Sequence, residues 1–205
     1  NANAGFSIVK YEGTGVAGAK IPHGLSAAPE MVISKSLDST NSWNVYHTSL
    51  STNYMMKLNS SNAAFDATAG TKGGGITVDA TNMTILAGAS NQENNNKSGD
   101  DFIAYCWHSV SGYSKISSYT GNGGTQSITG LGFQPDWVLI KENDGVDSWQ
   151  IYDSVRGAGK VLYPNGNNAE YAGSELSSFN SDGFTVTGNP NENGKTYMYM
   201  AFKIN

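Results

Sequence analysis

The chain carries the same sequence pattern twice, and this duplication limits its fold more than any other feature. The matched segments, first copy and second copy, are residues 5–15 and 112–123, 21–35 and 128–141, 42–46 and 148–152, and 102–107 and 197–202. Insertions fall between these segments, in stretches rich in turn residues. We therefore predict two homologous halves, residues 1–110 and 111–205. Because no Pro/Gly/Ser-rich spacer joins them, we expect the halves to be packed together.

Short apolar runs separated by turn residues predict strands in both halves. The predicted strands are residues 6–11, 19–22, 29–35, 43–47, 75–78, 83–86 and 102–107, then 135–141, 149–152, 184–187 and 197–202. The runs at 29–35 and 135–141 begin at a proline and are almost continuously apolar, so we expect central strands that are buried on both faces. Only 14% of residues are charged, which disfavours long surface helices. The prediction is an all-β chain of two tandem β-sandwich, jelly-roll-like halves with almost no helix.

Charge and composition exclude several classes of partner. With 12 basic and 17 acidic residues the chain has a net charge of −5, so we expect no nucleic-acid partner. Since no apolar run approaches the roughly 18 residues of a spanning helix, we expect no membrane insertion. The single Cys106 cannot form an internal disulfide. The sequence begins at Asn1 and has neither a starter Met nor an apolar signal region, which is typical of a processed product or a piece of a longer protein.

The motifs of catalysis and metal binding are missing or out of context. Residues 13–18 match the spacing G-x-G-x-x-G, but Pro22 stands where a phosphate-binding helix would run, so we interpret them as a tight turn. The three histidines have no ligand spacing, and Cys106 lies in an apolar run that predicts a buried packing role. We expect no catalytic residues, no cofactor and no metal. Calcium at Asp144 and Asp147 is the one alternative, and a hairpin turn explains those residues more simply.

Carbohydrate binding is the small-molecule function that the composition favours, because aromatic rings can stack on sugars and loop Asn and Asp side chains can bind hydroxyls. The candidate ligand-binding residues are Asn41, Trp43, His47, Asp144, Asp147 and Trp149. Trp43 and Trp149 occupy equivalent places in the two copies, so a core role for both is the stronger interpretation. Residues 91–97 form a loop that we interpret as unrepeated, and such loops are better places for specificity.

Several runs resemble one known family. Residues 105–115, 119–123 and 132–141 are similar to a tandem β repeat of tail-fibre and virion structural proteins of tailed bacteriophages, especially marine ones. The same holds for residues 153–160 and 179–184. The resemblance covers most of the chain and brings no catalytic residues. It implies a location on the virion, contacts with other virion proteins and a homotrimer.

The resemblance also implies a non-enzymatic module that binds a bacterial surface glycan or an outer-membrane receptor. A purely structural or decoration protein without a ligand is the first alternative, and a polysaccharide-degrading enzyme is the second. The first half departs from the family's Asp-x-x-Arg-Gly pattern at residues 46–50. We therefore expect a local salt bridge between Asp153 and Arg156 in the second half only.

Overall fold

A computed structural model describes residues 1–67, 74–86, 95–173 and 175–204. Strands make up 44% of the described residues and helical residues 3%, which confirms the all-β prediction. The first nine strands are β1 (Phe6–Glu12), β2 (Ala19–Pro22), β3 (Met31–Ser36), β4 (Asn44–His47), β5 (Tyr54–Lys57), β6 (Phe65–Asp66), β7 (Ile76–Val78), β8 (Asn82–Ile85) and β9 (Asp101–Trp107). The other nine are β10 (Ser114–Thr120), β11 (Gln126–Ile128), β12 (Trp137–Glu142), β13 (Gln150–Asp153), β14 (Lys160–Val161), β15 (Tyr171–Ala172), β16 (Leu176–Asn180), β17 (Gly183–Val186) and β18 (Thr196–Phe202). Short 3-10 turns lie at Ala2–Ala4 and Asn189–Asn191.

The chain divides into two compact units. Unit 1 consists of Asn1–Leu58 and Ala64–His108, and unit 2 consists of Asn59–Ala63 and Ser109–Asn205. The division at residues 108 and 109 lies beside the predicted boundary at 110 and 111, although the short segment Asn59–Ala63 groups with unit 2. The packing of the two halves against one another stays a prediction.

The main sheets of the two units have equivalent strand orders. Unit 1 has the order β1-β9-β3-β4-β5-β6, and unit 2 has β10-β18-β12-β13. A smaller sheet follows in each unit, β2-β8-β7 in the first and β11-β17-β16 in the second. All the recorded pairings in these sheets are antiparallel. The predicted central strands are confirmed: β3 and β12 lie inside their sheets, and nearly every residue in them is buried.

Each unit has its own hydrophobic core, which takes side chains from both of its sheets. In unit 1 the core joins Val32 and Cys106 of the main sheet to Met83 and Ile85 of the smaller one. In unit 2 it joins side chains of the main sheet, such as Val138 and Tyr152, to Phe184 and Val186 of the smaller sheet. Each unit therefore has the sandwich arrangement that alternating strands dictate. The face of a main sheet that points into this core is called its inner face, and the opposite face its outer face.

An asparagine loop fastens the end of the first strand in each unit. In unit 1 the Asn96 side chain accepts a hydrogen bond from the Thr14 N–H (2.8 Å) and donates one to the Val16 carbonyl (2.8 Å). In unit 2 Asn191 makes the same two contacts with Asn122 (3.0 Å) and Gly124 (2.8 Å). The predicted tight turn after β1 is thus part of a duplicated fastening.

This fastening corrects the interpretation of residues 91–97 as an unrepeated specificity loop. Asn95, Asn96 and Lys97 belong to the repeated loop, since Asn96 has its structural counterpart in Asn191. Residues 91–94 lie outside the described residues. The missed signal is the shared spacing Asn-x-x-Gly, at 96–99 and again at 191–194.

Candidate functional site

The outer face of the unit 1 main sheet carries a row of aromatic side chains. Strand β9 alternates strictly, so Phe102, Ala104 and Cys106 are buried while Tyr105 and Trp107 are half-buried on the outer face. The register places Phe6 of β1 opposite Trp107. Trp43, directly before β4, reaches Tyr105 from the other side.

The four rings form a continuous series. Ring centroids are 5.0 Å apart between Phe6 and Trp107, 6.2 Å between Trp107 and Tyr105, and 6.5 Å between Tyr105 and Trp43. Adjacent rings are inclined by only 26° to 28°, so all three contacts are stacked. We call these four residues the aromatic row. It presents aromatic surface that an apolar or C–H-rich ligand can contact.

Polar groups lie beside the aromatic row. Lys10 and Asp101 form an ion pair of 2.7 Å on the same outer face, and the hydrogen bond from Lys10 to Asp101 raises the pKa of that ammonium group. Ile8, which is 58% exposed, lies opposite Tyr105 and widens the apolar surface. At the Trp107 end, Ser26 Oγ and His108 Nε2 are 3.3 Å apart. The row is therefore an apolar strip with hydrogen-bonding groups at its ends.

The structure separates the predicted ligand-binding residues by burial. Trp43 is 37% exposed, whereas Trp149 is 1% exposed and His47 is fully buried. The Nδ1 atom of His47 accepts a hydrogen bond from the Ser49 N–H at 3.1 Å and lies 2.8 Å from the Ser49 hydroxyl. Buried rings present no face to a ligand, so His47 and Trp149 act here in packing. The core interpretation thus fits Trp149 and does not fit Trp43.

Asn41 and the two aspartates lie in turns. Asn41 is half-buried in the connection that leads to Trp43, in unit 1. Asp144 and Asp147 belong to unit 2, so these residues do not form one site within a unit. The Asp144 carboxylate accepts a hydrogen bond from the Thr196 N–H at 3.3 Å. Asp147 accepts from the Ser148 N–H (2.7 Å) and from the side-chain amides of Gln150 (3.0 Å) and Asn189 (3.2 Å).

These contacts give Asp144 and Asp147 the role of turn residues. Within the described part of the chain, no group of three or more His, Cys, Asp or Glu side chains is placed to hold a metal ion. Cys106 is buried in unit 1, and burial raises the pKa of its thiol to about 11, as the packing interpretation requires. Among the described residues, no helix is long and apolar enough to span a membrane.

The expected salt bridge of the second half is present. Arg156 Nε lies 2.6 Å from Asp153 Oδ2, and the Asp153 carboxylate also accepts the Arg156 backbone N–H at 2.8 Å. The same guanidinium donates to the Ile151 carbonyl at 3.2 Å. These bonds close the turn after β13, which is a structural role.

A family model described as a domain of unknown function, DUF7483, matches residues 1–205. The chain belongs to this family. Searches of curated proteins and of solved structures found no match for the DUF7483 chain. Its candidate site therefore stands on geometry: the sequence pointed to Trp43, but it missed Phe6 and Tyr105. The available signal was the alternation of β9, which places Tyr105 and Trp107 on one face.

Proposed function

We propose that this chain is a non-enzymatic module of a virion surface protein, such as a tail fibre, and that its aromatic row binds a glycan on the bacterial surface. The resemblance of the sequence to phage tail-fibre repeats supports a location on the virion, contacts with other virion proteins and assembly of this chain into homotrimers. The aromatic row is the observation that carries the glycan proposal.

The physical argument rests on shape and charge. Pyranose rings have apolar C–H faces, and flat aromatic rings bind these faces while leaving sugar hydroxyls in water. A series of neighbouring rings along one sheet face offers apolar surface over a longer stretch of a glycan than an isolated ring does. The row carries no charge of its own, and the Lys10–Asp101 pair beside it is mutually neutralised. A neutral or weakly charged glycan therefore fits this surface better than a strongly anionic one.

The test is an array of bacterial surface polysaccharides, with titration of any glycan that binds. Trp43→Ala and Tyr105→Ala should each weaken binding about three- to tenfold, because each removes one stacking contact. Tyr171→Ala is the matched control, since Tyr171 is an exposed aromatic residue of unit 2, outside the row. Equal loss in all three variants would contradict the proposed site.

The same experiment separates the other functions. New reducing ends released from a bound polysaccharide would show the degrading enzyme instead of a binding module. Silence across the array, with a folded protein, would favour the structural or decoration protein without a ligand. Sedimentation equilibrium of the isolated chain tests the proposed trimer, and a monomeric mass at high concentration would count against assembly through this module.

A further inference from the structure

Strand β1 lies at the edge of its sheet. Its recorded partner is β9, and the alternation of the ladder shows which backbone groups point away from that partner. The Gly13 N–H donates to the Asp100 carbonyl (2.9 Å), and the His108 N–H donates to the Gly5 carbonyl (2.9 Å). Odd-numbered residues therefore bond to β9, and the even-numbered ones turn their N–H and C=O groups outward.

The free stretch has defined ends. At one end the outward groups of Phe6 bond to Asn1: the Asn1 nitrogen donates to the Phe6 carbonyl at 2.8 Å, and the Phe6 N–H donates to the Asn1 carbonyl at 3.3 Å. At the other end the Thr14 N–H donates to the Asn96 side chain at 2.8 Å. Between them, no hydrogen bond among the described residues is recorded to the outward N–H and C=O groups of Ile8, Lys10 and Glu12. We call the segment from Ile8 to Glu12 the β1 edge.

The equivalent edge in unit 2, that of β10, is partly covered from within the chain. Val110 exchanges two backbone hydrogen bonds with Ser114 (2.8 and 3.1 Å). The Ser109 hydroxyl accepts the outward N–H of Ile116 (2.9 Å), and the Gln126 amide donates to the Thr120 carbonyl (3.1 Å). The Val110–Ser114 pair matches the contact of Asn1 with Phe6 in unit 1. The other two bonds satisfy the N–H at the position of Ile8 and the carbonyl at the position of Glu12, whereas no partner is found among the described residues for the backbone of Ser118, at the position of Lys10.

A cleft of about 710 Å³ lies along the β1 edge. It opens between β1 and β2, each of which is the edge strand of its sheet. Its apolar wall comes from Val9, Ala19 and Ile21, and these side chains also pack against the unit 1 core. A strand added to β1 would direct alternate side chains into this cleft.

A second copy of the chain is a poor occupant of this edge. Antiparallel pairing of two β1 strands centred on Lys10 places two lysines opposite each other, which is unfavourable. If the pairing is centred nearer Phe6, Glu12 of one copy meets the segment of the other copy in which Asn1 bonds to Phe6. If it is centred nearer Glu12, the ladder ends after very few pairs, where Asn96 binds Thr14. A foreign strand need not place a cation opposite Lys10, which is itself paired with Asp101 at 2.7 Å.

We propose that the β1 edge accepts an extended segment of another polypeptide as an added strand. The segment is about five residues long, carries apolar side chains toward the cleft, and on the other face carries an apolar residue opposite Ile8 and a basic one opposite Glu12. The backbone supplies most of the recognition, and the cleft supplies the preference for apolar side chains. This inference does not depend on the glycan function.

The probe is a synthetic heptapeptide, acetylated and amidated, in which valine alternates with one isoleucine, one threonine and one lysine. Its second face thus offers an apolar residue to Ile8 and a basic one to Glu12. Amide hydrogen exchange measured by NMR on the labelled protein should show fast exchange at Ile8, Lys10 and Glu12 without peptide. It should show slow exchange at Ile116, which Ser109 already holds. With the peptide, exchange at the three edge amides should slow at least about tenfold, because each amide gains a hydrogen bond.

A proline pair supplies the variant test. Lys10→Pro removes one outward N–H without touching the β9 ladder, so the fold should persist, as the melting temperature can verify. It should weaken peptide binding about tenfold. Ser118→Pro is the matched control at the equivalent position of β10 and should leave binding unchanged. The proposal is wrong if millimolar peptide does not bind, if it binds without slowing the edge amides, or if both proline variants bind alike.

Discussion

The outer faces of the two main sheets differ although their strand orders agree. At equivalent positions unit 1 has Trp43, which is 37% exposed, and unit 2 has Trp149, which is 1% exposed. The row in unit 1 continues through Tyr105 and Trp107, whereas unit 2 has Met200 and Phe202 at those places. The two copies thus share a scaffold and differ in their surfaces. The tryptophan that both copies contain is exposed in unit 1 and buried in unit 2, so its role differs between the units.

The asparagine fastening shows the opposite behaviour. Asn96 and Asn191 make matching hydrogen bonds, and Gly13 and Gly121 approach the same part of their loops. Backbone contacts at this strand end are therefore conserved between the units, while the outer-face side chains are not. Three comparisons between the units follow, from the largest expected effect to the smallest.

The largest difference is expected at the two tryptophans. Trp149→Ala should lower the free energy of unfolding by about 3–5 kcal/mol, because it empties a fully buried volume. Trp43→Ala should lower it by less than about 1 kcal/mol, since much of that ring already faces water. Denaturant unfolding of both variants measures this. Equal destabilisation would show that Trp43 is a core residue and would remove it from the aromatic row.

Two glycines should respond alike. A Cβ on Gly13 would overlap the Lys97 carbonyl oxygen, and one on Gly121 would overlap that of Glu192. Gly13→Ala and Gly121→Ala should therefore each cost about 1–3 kcal/mol of stability in thermal or denaturant unfolding. Gly124→Ala is the control, because the nearest atom to its Cβ would be 3.6 Å away. A large effect in one unit alone would break the equivalence of the two loops.

The buried lysine of unit 2 should make the stability of the protein depend on pH. Lys141 is 1% exposed, donates to the Glu142 carbonyl at 2.6 Å, and has a pKa lowered to about 8 because burial disfavours the charged form. Between pH 8 and pH 10 the unfolded chain keeps a proton that the folded chain has released. The free energy of unfolding should therefore rise with pH across this window, by roughly 1–2 kcal/mol.

Lys141→Met should remove this rise, as denaturant unfolding at several pH values can measure. Lys35→Met is the matched substitution in unit 1, where the half-buried Lys35 makes the same 2.6 Å bond to the next residue's carbonyl. It should leave the rise in place. If the Lys35 variant lost the pH dependence instead, the titrating lysine would lie in unit 1, and the assignment to Lys141 would be wrong.

The sequence predicted most strands where the apolar pattern was strong. The central strands β3 and β12 and the apolar runs of β9 and β18 follow from residue types alone. Strand β10 is polar, at Ser114–Thr120, and only its match to the first copy indicated it. The sequence analysis did not place six further strands, because two to five residues carry too little pattern to separate a strand from a loop. These are β5, β6, β11, β14, β15 and β16.

The candidate site was less accessible from the sequence. Trp43 was identified, yet so were His47 and Trp149, whose burial depends on what covers their sheet faces. Phe6 and Tyr105 were missed because their contacts join strands far apart in the chain, and strand register decides such contacts.

By itself, the sequence determined that this protein is all-β and internally duplicated, since local alternation and turn residues act over a few positions. Only the tertiary structure decided which copies of equivalent residues face water, that four rings lie in one row, and that, among the described residues, fewer outward backbone groups are hydrogen-bonded along β1 than along β10. Burial and edge pairing are properties of neighbours distant in the chain, so two nearly identical local patterns can end in different environments.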